Sequence, residues 1–209
     1  MPEVKICGLK RAEDALWANG LRPDYIGYVF APSKRKVTLS EALAISNLLH
    51  DDILRVGVFV NPIKSEIDEI LKSVRLDIIQ LHGDESPAFC DSLPCRVWKA
   101  FKVSSDDDFK RISEYEGLIS AAVLDGFDRL SFGGTGHTFD WHLAAGKKLN
   151  MSLVLAGGLN SANLEKAFAI VNPDIVDVSS GVETEGFKDV FKVAEFIKRA
   201  RSLKAYDNR

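Results

Sequence analysis

Eight short apolar runs, at residues 4–7, 25–30, 55–60, 77–81, 97–101, 121–125, 152–156 and 175–178, alternate with helix-like segments along the chain. Several, such as Ile26-Gly27-Tyr28-Val29-Phe30 and Val56-Gly57-Val58-Phe59-Val60, are continuous and rich in β-branched or aromatic residues. Strands covered on both faces have this composition, which is the mark of a parallel sheet. Helical connections between successive parallel strands favour right-handed βαβ units. Eight such units closing on themselves make a barrel, whereas fewer in an open sheet would be doubly wound. The expected fold class is α/β: one (β/α)8 TIM barrel spanning residues 1–209 as a single catalytic domain. At about 26 residues per unit it is a small barrel. The fifth helical unit is expected to be weak or shortened, because residues 106–115 have poor helical periodicity and Ser104-Ser105-Asp106-Asp107-Asp108 reads as loop.

The unusual residues fall just after the runs. Cys7-Gly8 follows the first, His82-Gly83 the fourth, Asp125 ends the sixth, Gly157-Gly158 follows the seventh and Ser179-Ser180-Gly181 the eighth. The carboxyl ends of barrel strands converge on one face, where such enzymes carry their active sites. Residues scattered through the sequence are thereby expected to meet in one pocket.

Composition narrows the class of function. The chain has 209 residues, 46% hydrophobic and 27% charged, with a net charge of −3. Both signs are interspersed, so a nucleic-acid partner is not expected. No apolar run approaches the roughly 20 residues that span a bilayer, and no export signal is evident. Three cysteines in such a chain point to reduced thiols and a cytoplasmic setting. Cys90 and Cys95 are not a C-x-x-C pair, and His50, His82, His137 and His142 are too dispersed to suggest a metal. Among the helices, Ser40 is expected to cap the segment running to Leu49, and Asn160 to cap the segment running to Phe168. Phe191, Ala194, Phe196 and Ile197 repeat at helical spacing in the last helix.

The phosphate signal lies in the C-terminal half. Leu155-Ala156-Gly157-Gly158-Leu159-Asn160 and Val178-Ser179-Ser180-Gly181-Val182-Glu183 place small residues after the seventh and eighth strands. Glycine lets backbone N–H groups approach an anion, helix N-termini add partial positive charge, and barrel enzymes often use these two loops for phosphate. Each loop alone reads equally well as a tight turn; the pair, in this order, favours phosphate. Gly133-Gly134-Thr135-Gly136, after the sixth strand, is neither a Walker loop nor a dinucleotide fingerprint. Beside the other two loops it could fold over the phosphorylated end of a substrate. Cys7, taken alone, reads as a small buried hydrophobe. With Asp125 across the barrel mouth, the pair could share proton transfer over a bound molecule. His82 keeps a Cys-His nucleophile reading alive.

Together these residues resemble a known family. Lys5-Ile6-Cys7-Gly8, Gly27-Tyr28-Val29-Phe30, Ser33-Lys34-Arg35, Val56-Gly57-Val58-Phe59-Val60-Asn61, Gln80-Leu81-His82-Gly83 and Leu124-Asp125 resemble phosphoribosylanthranilate isomerase. So do Gly133-Gly134-Thr135-Gly136-His137-Thr138-Phe139-Asp140-Trp141, Leu155-Ala156-Gly157-Gly158-Leu159 and Asp177-Val178-Ser179-Ser180-Gly181-Val182-Glu183. The ordered set runs from residue 4 to about residue 197. Gly126, where Ser or Thr is commoner, and His137, often Lys, depart from the pattern. The resemblance implies an Amadori rearrangement in tryptophan biosynthesis, with no cofactor and no metal. Its substrate is phosphorylated and carries an anthranilate group; the protein is expected to be a monomer or homodimer. Asp125 matches the general acid and Cys7 the general base. Arg35 would meet the anthranilate carboxylate. Gln80, His82, Gly134, Gly157, Gly158, Ser180 and Gly181 would line the substrate site. The acid must hold a proton near neutrality and the base must be thiolate, which calls for a raised Asp and a lowered Cys pKa.

Two rivals stand beside this reading. A histidine-pathway isomerase is expected to use paired aspartates, but the first strand ends in Cys7; a pentose-phosphate epimerase needs a metal-ligating His/Asp set that does not assemble. A non-catalytic phosphosugar-binding barrel would have no need for both Cys7 and Asp125. Finally, Lys5 lies two residues before Cys7 and so shares its face. If Cys7 faces the mouth, Lys5 points into the interior, and Asp177 on the closing strand is the expected carboxylate to pair with it.

Overall fold

The computed structural model describes residues 1–126 and 140–204. In it eight parallel strands close into a barrel in sequence order. They are β1 (Glu3–Cys7), β2 (Tyr25–Val29), β3 (Leu54–Phe59), β4 (Ile78–Leu81), β5 (Arg96–Lys102), β6 (Ala121–Asp125), β7 (Ser152–Leu155) and β8 (Ile175–Val178). Each lies within one or two residues of its expected run. The crossovers carry α1 (Ala12–Leu21), α2 (Leu39–Leu48), α3 (Lys64–Leu71), α4 (Pro87–Asp91), α5 (Asp107–Ser113), α6 (Leu164–Val171) and α7 (Val190–Ser202). The fifth helix is short, as expected, at seven residues, but α4 is shorter still at five. After β6 the described part of the crossover is a single 3-10 turn, Trp141–Ala144. A two-stranded hairpin, β9 (Glu183–Thr184) with β10 (Phe187–Lys188), sits between β8 and α7.

Period-two alternation splits the apolar residues between two cores. One fills the barrel, with Tyr25, Val56, Ile78, Trp98, Val123 and Val154 among its members; Tyr25 and Trp98 meet edge to face at 5.0 Å. The other, larger core lies between the strands and the helices. Three local expectations are corrected. The cap of α2 is Thr38, not Ser40: Thr38 Oγ1 accepts from Glu41 N while Glu41 Oε2 accepts from Thr38 N. Helix α6 starts after Asn163; Asn160 instead caps the preceding turn, its Oδ1 accepting from Ala162 N and Asn163 N. Phe191 is 83% exposed, and the buried stripe of α7 is Val193, Phe196, Ile197 and Ala200. No helix among the described residues is long and apolar enough to cross a membrane.

Candidate active site

At the carboxyl ends of the strands a cavity of about 820 Å³ opens. Cys7, Arg35, Gln80, His82, Asp125, Gly157, Gly158 and Ser180 line it together, although they come from six different βα units. Asp177 and Ser179 also line it. Gly181 does not; it lies behind the wall, so close to Leu159 O that an added Cβ would stand 1.9 Å from it. Gly181 thus lets the two loops after β7 and β8 pack together. Gly134 and His137 lie outside the described residues.

Cys7 is the last residue of β1, 9% exposed, and faces the cavity. Beside it on β2 stands Gly27, paired in register with it. Burial pushes the Cys7 thiol up from its ordinary range, and the ammoniums of Lys5 and Lys188 oppose that shift without reversing it. The lowered thiol expected from the sequence is therefore not what these surroundings produce. Low dielectric outweighs two nearby cations here.

Lys5 is completely buried, as strand alternation requires. Its Nζ donates to Asp177 Oδ2 at 2.6 Å, across the seam where β1 pairs with β8, and to Gln80 Oε1 on β4 at 2.8 Å. Burial alone would lower the Lys5 pKa; the Asp177 carboxylate and the Cys7 sulfur raise it instead. Asp177 Oδ1 is buried and finds no hydrogen-bond partner among the described residues. An acceptor in that state, on a cavity wall, is suited to a ligand hydroxyl.

Asp125 ends β6 on another side of the cavity. Its Oδ2 lies 2.9 Å from His82 Nε2, and His82 Nδ1 lies 3.2 Å from Gln80 Nε2. His82 is thus engaged with the carboxylate, and the Cys-His pairing is not formed. Gly157, at φ +79°, abuts the same carboxylate: a Cβ there would meet Asp125 Oδ1 at 2.5 Å and Gly126 N at 2.2 Å.

Arg35 reaches the cavity wall but is already clamped. Its Nε and Nη2 donate to Glu183 Oε1 and Oε2 at 2.6 and 2.9 Å. Glu183 Oε1 also accepts from Lys188 Nζ at 2.7 Å, and that ammonium donates to Ser179 O at 3.0 Å. Lys188 is a residue that sequence reasoning missed. It lies in β10, nine residues beyond Ser179, and only the hairpin brings it behind the loop after β8. Glu183 and Arg35 were each visible in a motif, but their pairing, across 148 residues, was not.

A family model described as N-(5'phosphoribosyl)anthranilate (PRA) isomerase matches residues 4–199. An N-(5'-phosphoribosyl)anthranilate isomerase of Thermoanaerobacter sp. (strain X514) is 45% identical, over 98% of this chain and all of its own. The crystal structure of the phosphoribosyl anthranilate isomerase of Thermotoga maritima superimposes with a TM-score of 0.88 at 39% identity, covering 97% of this chain and all of that one. A structure of such an isomerase in complex with reduced 1-(o-carboxyphenylamino)-1-deoxyribulose 5-phosphate gives a TM-score of 0.85 at 38% identity, with the same coverage.

Proposed function

The chain belongs to the N-(5'-phosphoribosyl)anthranilate isomerase family, and from that premise we propose which of its residues carry the reaction. The enzyme converts N-(5'-phosphoribosyl)anthranilate to 1-(2-carboxyphenylamino)-1-deoxyribulose 5-phosphate in tryptophan biosynthesis. This Amadori rearrangement is an internal redox exchange. The first sugar carbon is reduced as the second is oxidised, so no external oxidant is needed.

Asp125 is the general acid. It gives a proton to the furanose ring oxygen, the bond from that oxygen to C1 breaks, and the anilino nitrogen and C1 become a Schiff base. Cys7 is the general base. It takes the proton from C2, the electron pair moves into the C1–C2 bond and neutralises the Schiff base, and the enolamine tautomerises to the ketone. The observation that carries this reading is the presence of Cys7 and Asp125, from β1 and β6, on the walls of one cavity. Binding the substrate brings a cationic Schiff base beside the thiol, which favours thiolate when it is needed.

The remaining groups fit the two ends of the substrate. Backbone N–H groups at Gly158 and Ser180, beside the turn Ser180–Val182, suit the phosphate, with Gly181 permitting their loops to meet. Arg35 keeps Nη1 for the anthranilate carboxylate while Glu183 fixes its plane. Asp177 Oδ1 suits a sugar hydroxyl. Cys7→Ala and Asp125→Asn should each lower kcat by about 10²–10⁴-fold in folded protein. Assay with freshly prepared phosphoribosylanthranilate tests this, and near-parental turnover of folded Cys7→Ala would remove the base from the scheme.

A further inference from the structure

A continuous hydrogen-bonded chain crosses the barrel interior from β1 to β6. Lys5 Nζ meets Gln80 Oε1 at 2.8 Å, Gln80 Nε2 meets His82 Nδ1 at 3.2 Å, and His82 Nε2 meets Asp125 Oδ2 at 2.9 Å. The chemistry of the first member fixes the rest. An ammonium has three donors and no acceptor, so the Gln80 atom facing it must be the oxygen. The other terminal atom is then the NH2, which only donates, and His82 Nδ1 must accept from it. A neutral imidazole accepting at Nδ1 carries its proton on Nε2. That N–H donates to Asp125 Oδ2. Every bond runs in one direction, from the buried cation to the carboxylate. Turning the Gln80 amide over would set its NH2 against the ammonium inside a dry barrel, leaving buried donors unmatched.

We infer that Lys5 and Gln80 lock His82 as the Nε2–H tautomer, making it a positioning residue that confines the transferable proton of Asp125 to Oδ1. The inference rests on Asp125 being the acid, and it replaces the role of Gln80 and His82 as substrate-binding groups. With Oδ2 already accepting from His82, a proton on that oxygen would face another proton. Oδ1 is left as the proton-bearing atom, beside Gly157, where a Cβ would stand only 2.5 Å from it. Once Oδ1 has released its proton, the fixed N–H at Oδ2 stabilises the carboxylate that remains. This is a preorganised donor aimed at charge that develops during the transfer.

Nitrogen-15 NMR of the parent enzyme, at the pH of the kinetic assay, reads the tautomer directly, with His82 signals assigned by their loss in His82→Gln. A proton on Nε2 alone is expected; a proton on Nδ1 overturns the inference. Kinetics give a second reading. Glutamine at position 82 can still offer an amide N–H toward Asp125, and leucine cannot. His82→Leu should lose about 10–10² of kcat, less than loss of the acid itself, with KM changed little. His82→Gln should stay about ten-fold above His82→Leu. Equal kcat in the two variants, or a raised KM at parental kcat, would mark His82 as a packing or substrate-binding group instead. Asp125→Asn separates the two readings. Normal turnover there removes the acid whatever the tautomer, whereas an inactive Asp125→Asn together with a proton on Nδ1 removes only the inference about His82.

Discussion

Glycine at position 27 sets how the Cys7 thiol can lie. A Cβ there would stand 2.7 Å from Cys7 Sγ and 3.1 Å from Cys7 Cα, well inside van der Waals contact. The backbone at Gly27 does not have a positive φ, so alanine is conformationally acceptable and the conflict is with the neighbouring strand alone. Gly27→Ala should therefore fold and still bind substrate while turning the thiol away from the reacting carbon. A displacement of about 1 Å lowers turnover by up to about 10²-fold. The expected result is a fall in kcat with KM nearly unchanged and a thermal melt close to the parent's. An unchanged kcat would show that the thiol position is not set by this strand pair. Gly157 guards the acid in the same way, but its φ of +79° adds backbone strain, so Gly157→Ala mixes stability with chemistry and is the less informative change. The glycine in Ile26-Gly27-Tyr28 was legible as part of a strand. Its reason was not, because pairing of Gly27 with Cys7 depends on the register between β1 and β2.

Elements were most legible where local chemistry specifies them. The start of α2 could be read from Thr38-Leu39-Ser40-Glu41: a box needs Glu three residues after the cap, which selects Thr38, since Ser40 would need it at Leu43. The β9–β10 hairpin was not legible, because each strand is two residues long and its purpose lies elsewhere in the chain. It presents Glu183 to Arg35 and Lys188, tying the loop after β2 to the loop after β8. Burial would raise the Glu183 carboxyl, but the Arg35 fork and the Lys188 ammonium outweigh it and hold it at about 2, against an ordinary value of 4.5. The unfolded chain therefore takes up this proton near pH 4.5 and the folded one only near pH 2. The stabilisation is complete above the first value and is lost as the pH falls toward the second. Urea midpoints measured across that range should show the parent's advantage over Glu183→Gln shrinking as the solution is acidified. A constant difference at every pH would mean that the clamp does not feel the charge of Glu183.

Closing a barrel requires the last strand to find the first, and here a buried ion pair marks the seam. Lys5 and Asp177 face each other in register as β1 pairs with β8, with side chains 0% and 7% exposed. The inward direction of Lys5 followed from its two-residue spacing to Cys7, and Asp177 followed from the order of strands in a closed barrel. The remaining contacts of the interior were not available to that reasoning. His82, just beyond β4, and Asp125, at the end of β6, come from strands that are not neighbours and meet across the mouth of the barrel. Gln80 bridges Lys5 to His82. Such a pair is weak evidence for stability in itself, because desolvating two charges offsets most of their attraction, yet removing one member leaves the other charged and dry. Lys5→Met should therefore destabilise the fold by about 3–5 kcal/mol, the loss falling on Asp177, whose Oδ1 already lacks a partner among the described residues. Lys5→Met combined with Asp177→Leu should recover most of that loss, since apolar groups of similar volume satisfy a dry seam without unmatched charge. Equilibrium urea unfolding of the parent, the single variant and the double variant measures both terms. A Lys5→Met protein as stable as the parent would mean that Asp177 protonates or reaches water without cost, and that the seam is held by packing alone. A double variant no better than the single one would place the stabilisation in the Lys5 bond to Gln80 rather than in the ion pair.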